Sequence, residues 1–133
     1  MSTLFEQEVG PQPPREVTTA VEIQALLTSL QLARTPLTIS FDGRSQQCQS
    51  YIVDLDIPDN RLLIDETIPQ IGDKWLTQGD SFHIDAWLDG VHMRWQGDTA
   101  LKVLLDDAPA FSMPLPTRLI HHQRRGAYRA TIQ

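Results

Sequence analysis

Three arginines near the C-terminal end, Arg124, Arg125 and Arg129, sit in the string Gln123-Arg124-Arg125-Gly126-Ala127-Tyr128-Arg129. A guanidinium presents a planar fork of N–H donors that matches phosphate or carboxylate oxygens and can also stack on an aromatic face. Together with Arg118 these are the only formally charged residues after Asp107, so the last stretch counts +4 while residues 1 to 107 count −10. Such a split points to a C-terminal end that meets an anion, although a boundary that clips the acids of a following segment gives the same asymmetry. Taken alone, an R-x-x-x-R spacing is common in basic segments, and a solvated basic linker is the competing reading.

Other chemistry-bearing residues form weaker constellations. His83, Asp85 and His92 share one face of an alternating stretch, but a fourth metal ligand is missing and Arg94 stands opposite Asp85 as an ion-pair partner. His121 and His122 are adjacent, so neither a helix nor a strand points both at one metal. Asp54, Asp56 and Asp59 lack the spacing and the glycine of a calcium loop. No Walker loop, G-x-G-x-x-G, H-E-x-x-H or G-x-S-x-G string occurs, and the single cysteine, Cys48, has no motif that makes it a nucleophile.

The elements that position these residues follow from periodicity. Residues 1–16, with Gly10-Pro11-Gln12-Pro13-Pro14, read as a mobile leader. Thr19 and Glu22 have capping-box spacing, and Ile23, Leu26, Leu27 and Leu30 fall on one face of a helix over about 19–34, which Pro36 stops. The period then changes to two. Strands are expected at Leu37–Phe41, along Gln49, Tyr51, Val53, Leu55 and Ile57, and at Arg61–Asp65; residues 66–79 read as irregular with one helical turn. Phe82 to Leu88 and Val91 to Trp95 alternate around Asp89-Gly90, a two-residue hairpin turn whose register sets Leu88 against Val91, Ala86 against Met93 and Asp85 against Arg94. A sixth strand over about Thr99 to Leu105 ends at Asp106-Asp107, and Pro109, Pro114 and Pro116 mark an extended crossover. Trp95 belongs to the core. Trp87 falls on the opposite face beside His92, where it is either covered by the helix, the reading adopted, or exposed as a partner-binding anchor.

The expected fold is therefore mainly β: a small six-stranded antiparallel (split) β-barrel with one N-terminal amphipathic helix. At 133 residues there is room for one core. No apolar run approaches the roughly 18 residues that span a bilayer, and the N-terminus lacks the pattern of a signal peptide, so a cytoplasmic location without membrane insertion is expected.

The Gln-Arg-Arg string resembles the opening of a PilZ domain, in which R-x-x-x-R binds cyclic-di-GMP. The resemblance makes Arg125 and Arg129 the signature pair and Arg124 an auxiliary contact. Upstream, most of residues 17–123 resembles the N-terminal domain of the YcgR flagellar brake family, at the capped leading helix, Pro36-Leu37-Thr38-Ile39-Ser40-Phe41, Gly90-Val91, and Phe111 to Leu119. The resemblance implies a barrel domain over 17–117 and an interdomain linker with the start of a PilZ domain over 118–133. It further implies a non-enzymatic cyclic-di-GMP receptor with no cofactor, acting on a flagellar motor or basal-body protein and not on DNA or RNA. The second half of the nucleotide site, a D/N-x-S-x-x-G motif, is absent from these residues. Either the chain is a piece of a longer protein or it cannot complete the site. Two other classes compete: a protein-interaction module with a basic linker and no ligand of its own, and an enzyme of the split-barrel flavin-reductase kind, for which fold analogy supplies no site.

Overall fold

The computed structural model describes residues 13–123. In chain order the elements are β1 (Arg15–Val17), α1 (Ala20–Leu32), β2 (Leu37–Phe41), β3 (Gln47–Ser50), β4 (Ile52–Asp56), β5 (Arg61–Ile64), α2 (Ile71–Thr77), β6 (Phe82–Leu88), β7 (Val91–Gly97), β8 (Leu101–Leu105), β9 (Ala108–Pro114) and β10 (Leu119–Gln123). They form a six-stranded antiparallel sheet in the order β1-β10-β7-β6-β2-β3 and a four-stranded one in the order β4-β5-β9-β8. The mainly β class with a leading amphipathic helix is as expected. The described residues nonetheless hold ten strands where six were expected, and a second, short helix.

In α1, Ile23, Leu27 and Leu30 face the core and Leu26 packs at its margin. The expected capping box is not made. Thr19 is extended and contributes its carbonyl to Ile23 N at 3.0 Å, but no side-chain cap bond, while Glu22 accepts from both Nη atoms of Arg15 at 2.8 and 3.3 Å. The other end is closed by a Schellman turn: Arg34 is left-handed (φ 53°), Thr35 N donates to Leu30 O at 3.0 Å and Arg34 N to Gln31 O at 3.1 Å. Pro36 then releases the chain into β2.

Where one long second strand was expected, the chain changes sheets at Tyr51. Ser50 Oγ donates to Asp65 O at 2.7 Å, Asp65 N donates to Tyr51 O at 3.0 Å, and the β4–β5 register shifts between Ile52 and Asp54. Cys48 and Ile52 are buried, while Tyr51 and Ile57, on the expected common face, are each 40% exposed. Alternation runs through the switch, so periodicity alone joined two strands that belong to different sheets.

The expected proline crossover is instead the β8–β9 hairpin. Asp106 and Asp107, both with positive φ, form its two-residue turn, and Leu105 pairs with Ala108. Proline fits because each one sits where β9 has a single partner. Pro109 pairs with Leu104 of β8 before the β5 ladder begins, and Pro114 pairs with Arg61 of β5 after the β8 ladder ends.

The two sheets and α1 enclose one core, in which Leu27, Leu37, Ile39, Leu62, Ile64, Phe82, Ile84, Phe111 and Leu119 have 1% or less of their surface exposed. Arg15 and Glu16, placed in the leader by sequence, pair through β1 with β10, and residues 119–123, placed in the linker, are β10 itself. Both segments are short and weakly alternating, and they find each other only because the fold brings the two ends together.

Candidate functional site

The β6–β7 hairpin has the expected register throughout, with Leu88 opposite Val91, Ala86 opposite Met93 and Asp85 opposite Arg94. Ile84, Ala86, Met93 and Trp95 point into the core, and Trp95 is 3% exposed. The alternate residues His83, Asp85, Trp87, His92, Arg94 and Gln96 therefore form the outer face of the six-stranded sheet. β10 extends that face, since Ile120 pairs with Arg94 and His122 with His92.

The centre of this face is a carboxylate–imidazole–indole chain. Asp85 Oδ1 lies 2.6 Å from His92 Nε2, and the His92 ring stacks on Trp87 with centroids 4.6 Å apart and planes 10° from parallel. Arg94 Nε stands farther from the same carboxylate oxygen, at 3.7 Å. The expected Asp85–Arg94 pair is thus present but secondary. The His92 bond was missed because it is diagonal, reaching two residue pairs along the ladder from the Asp85–Arg94 pair to the next pair on the same face.

Trp87 corrects the expectation that the helix covers it: its side is open and it is 52% exposed. The reason is the position of α1, which lies against β4, where Gln31 Nε2 donates to Val53 O at 3.3 Å, and which leaves the outer face of the larger sheet bare.

Beside this chain the sheet's outer face forms a cleft of about 540 Å³ lined by His83, Arg94, Gln96, Thr117, Arg118 and Ile120 together with Trp95. Gln96 Nε2 lies 3.1 Å from His83 Nε2, and the Arg118 guanidinium pairs with Glu16. Among the described residues no group of three or more His, Cys, Asp or Glu side chains is gathered to hold a metal ion. Asp54 and Asp56 lie on β4, and the Asp56 carboxylate accepts from Asp59 N at 3.3 Å, which is turn chemistry. Cys48 is buried beside α2, and burial raises its thiol above the usual range. His121, on the inner side of β10, is held below the usual imidazole value by burial and then by Arg15.

Arg124, Arg125 and Arg129 lie outside the described residues. What the structure gives is the strand that leads to them: β10 ends at Gln123, paired with Val91 at the end of the hairpin and one residue beyond the His92–His122 pair.

Comparison with known proteins agrees with this architecture. The family model described as the PilZN domain of the flagellar regulator YcgR matches residues 16–121. A flagellar brake protein YcgR from Xanthomonas campestris pv. campestris (strain B100) is 27% identical over 108 residues, which are 81% of this chain and 41% of that protein. The crystal structure of the YcgR-N domain from Escherichia coli superposes with a TM-score of 0.71 at 18% identity, covering 80% of this chain and 93% of that one. The Escherichia coli YcgR structure in complex with c-di-GMP gives the same TM-score at 21% identity, covering 83% of this chain and 47% of that one. The chain thus spans about half the length of the full-length relatives it matches. With its two sheets, its leading helix and a family match that starts in β1 and ends in β10, the chain belongs to the PilZN domain family of the flagellar regulator YcgR.

Proposed function

We propose that the chain is the N-terminal regulatory part of a cyclic-di-GMP receptor of the flagellar brake type, which regulates flagellar motility without catalysing a reaction. The observation that carries this reading is a juxtaposition. The family match runs to residue 121, and the R-x-x-x-R string of Arg125 and Arg129 follows within four residues of its end. In this reading the unit from β1 to β10 is the partner-facing domain, and the residues after Gln123 comprise the connection and the first part of a PilZ domain. Arg125 and Arg129 grip the ligand, with Arg124 as an auxiliary contact. The solved relative that holds c-di-GMP supports the choice of ligand.

The output is mechanical. Because β10 is at once a member of the large sheet and the strand that leads to the arginines, closing them on the ligand turns this domain relative to the next. The turned domain presents a different surface to a flagellar motor or basal-body protein in the cytoplasm. The test uses the natural reading frame through a D/N-x-S-x-x-G motif. Calorimetry should show saturable cyclic-di-GMP binding, and small-angle scattering should change at saturation. A frame that stops at Gln133, or no binding by the longer protein, would favour the pure interaction module instead. Identical scattering profiles with bound ligand would remove the reorientation.

A further inference from the structure

We propose that β8 is a self-pairing edge, through which two copies of the chain join antiparallel with Lys102 of each opposite Leu104 of the other, merging their four-stranded sheets into one. The proposal goes beyond the receptor reading and does not depend on it.

An open sheet edge carries a row of unpaired N–H and C=O groups, and native folds shorten, bend, charge or cover it. The two sheets end in β1, β3, β4 and β8, and the first three are treated in these ways. β1 is three residues long and begins Arg15-Glu16. β3 is bridged by Ile68, whose N–H donates to Gln49 O at 2.9 Å and whose carbonyl accepts from Gln49 N at 2.8 Å. β4 is broken by its register shift, carries Asp54 and Asp56, and accepts α1 through the Gln31–Val53 bond. β8, Leu-Lys-Val-Leu-Leu, pairs regularly with β9 and has one charged residue, Lys102. Among the described residues no backbone bond reaches it from outside that pairing. α2 approaches β8 but leaves Leu101 58% and Leu104 72% exposed.

The hairpin fixes which groups point outward. Asp106 and Asp107 have φ of 52° and 67°, the two-residue turn whose flanking pair, here Leu105–Ala108, exchanges both backbone bonds. Bonded and non-bonded pairs alternate from there. Val103 and Leu101 are therefore turned to β9, while the N–H and C=O groups of Leu104 and Lys102 are turned to the open edge. Pro109 agrees with this phase: it stands opposite Leu104 in a non-bonded pair, where its missing N–H costs the β8 ladder nothing.

These outward groups lie symmetrically about Val103, and that symmetry selects a second copy as the occupant. An antiparallel copy with its Val103 opposite this one sets Lys102 against the copy's Leu104 and Leu104 against its Lys102, so every outward N–H and C=O of both strands finds a partner. A register centred on Leu104 instead sets Lys102 against Asp106, where the strand has already turned. The side chains fit the first register as well. On one face Leu101 meets the copy's Leu105 and Val103 meets its twin; on the other, Leu104 lies beside the aliphatic stem of the copy's Lys102. The copy's Asp106-Asp107 turn comes next along the edge from its Leu104, towards Lys102, and like charges nowhere stand directly opposite. A strand of unrelated sequence would have to supply this match, whereas the copy has it by symmetry. An edge of five residues is shorter than a standard interface requires, so the association is weak and reversible.

The experiment is sedimentation equilibrium of the 133-residue chain and three variants, with amide hydrogen exchange followed by NMR at low and high protein concentration. Between about 5 and 500 µM the parent should pass from monomer to dimer with a dissociation constant of about 10–100 µM, in keeping with an interface below standard size. Exchange at the Lys102 and Leu104 amides should slow as the dimer forms. Leu104→Lys sets like charges directly opposite at both Lys102 positions and should weaken association by about tenfold or more, whereas Leu104→Glu sets opposite charges there and should stay within about threefold of the parent. Val21→Lys, on the solvent side of α1, should associate like the parent. Each substitution falls on a largely exposed side chain, so circular dichroism should report the same fold. A chain that stays monomeric at the highest concentration would overturn the self-pairing and leave the edge to a strand of another protein. Equal losses in Leu104→Lys and Leu104→Glu would overturn the register. A dimer indifferent to Leu104→Lys, or one whose Lys102 and Leu104 amides exchange as fast as in the monomer, would place the contact on another surface and overturn the proposal too.

Discussion

The ring of Phe82 lies over the backbone of Gly97, its directly paired residue in the β6–β7 hairpin, so closely that a Cβ on Gly97 would stand 2.6 Å from Cζ and 2.7 Å from Cε1. Phe82 is 1% exposed and tilts against Phe41, so its ring has little room to retreat. Gly97→Ala should therefore destabilise the domain by about 1–3 kcal/mol, the usual cost of overpacking a filled core. Phe82→Leu, which frees the space, should make the second substitution cheaper, so that the double mutant costs less than the sum of the singles. Urea denaturation midpoints of the four proteins decide this; strict additivity would show that the contact is not what makes glycine necessary.

That contact lies in the part of the fold most legible in the sequence. Asp89-Gly90 admits one hairpin geometry, and alternation on both sides then leaves one register, so every pair from Leu88–Val91 to Asp85–Arg94 followed from local chemistry. The helix was equally legible, because Ile23, Leu27 and Leu30 share one helical face. The rest depends on partners distant in sequence. Nothing in Arg15-Glu16-Val17 announces that it pairs with residues 119–121, and the prolines at 109 and 114 count against a strand until it is known which edge of each is paired. Of the candidate site, residue types supplied the arginine string. The Trp87–His92–Asp85 chain needed the three-dimensional face, because its decisive bond is diagonal and the exposure of Trp87 depends on where α1 docks.

The docking of α1 yields a direct stability prediction. Leu27 has no exposed surface and sits at the middle of the helix's buried face, so Leu27→Ala should cost about 2–5 kcal/mol through lost burial and an incompletely collapsed cavity. Val21, on the solvent side of the same helix at 80% exposed, serves as the control: Val21→Ala should change stability by less than about 0.5 kcal/mol. Similar values for the two would contradict this orientation of the helix.

His121 should make stability depend on pH. Burial, reinforced by Arg15 and His122 and opposed by Glu22, holds its folded-state pKa below the ordinary imidazole value of about 6.5. Between the folded and the unfolded value, the unfolded chain binds more protons than the native one, so stability rises with pH in that window. It should be fully present above about pH 7, fall as the pH drops through about 6.5, and level off below the folded value. His121→Gln, which cannot titrate, should flatten this part of the profile. Urea midpoints between pH 5 and 8 test it; an unchanged slope in His121→Gln would assign the dependence to other groups.

The arginine string yields the prediction with the greatest consequence for function. If Arg125 and Arg129 each make charge-assisted bonds to the phosphates or guanines of cyclic-di-GMP, replacing either by alanine removes about 1.5–3 kcal/mol of binding, which is roughly ten- to a hundredfold in affinity. Arg→Lys should not restore it, because a point charge reproduces neither the two-pronged donor geometry nor the flat stacking surface. Binding should also weaken steeply with salt, since charge pairing contributes much of it. The 133-residue chain by itself lacks the D/N-x-S-x-x-G half, so its arginines must be ordered without an opposing surface, and it should bind weakly or undetectably. Calorimetry on both lengths of chain separates the cases. Tight, salt-insensitive binding to residues 1–133 would place the ligand elsewhere on the domain, and full affinity in Arg125→Ala and Arg129→Ala would remove the receptor assignment.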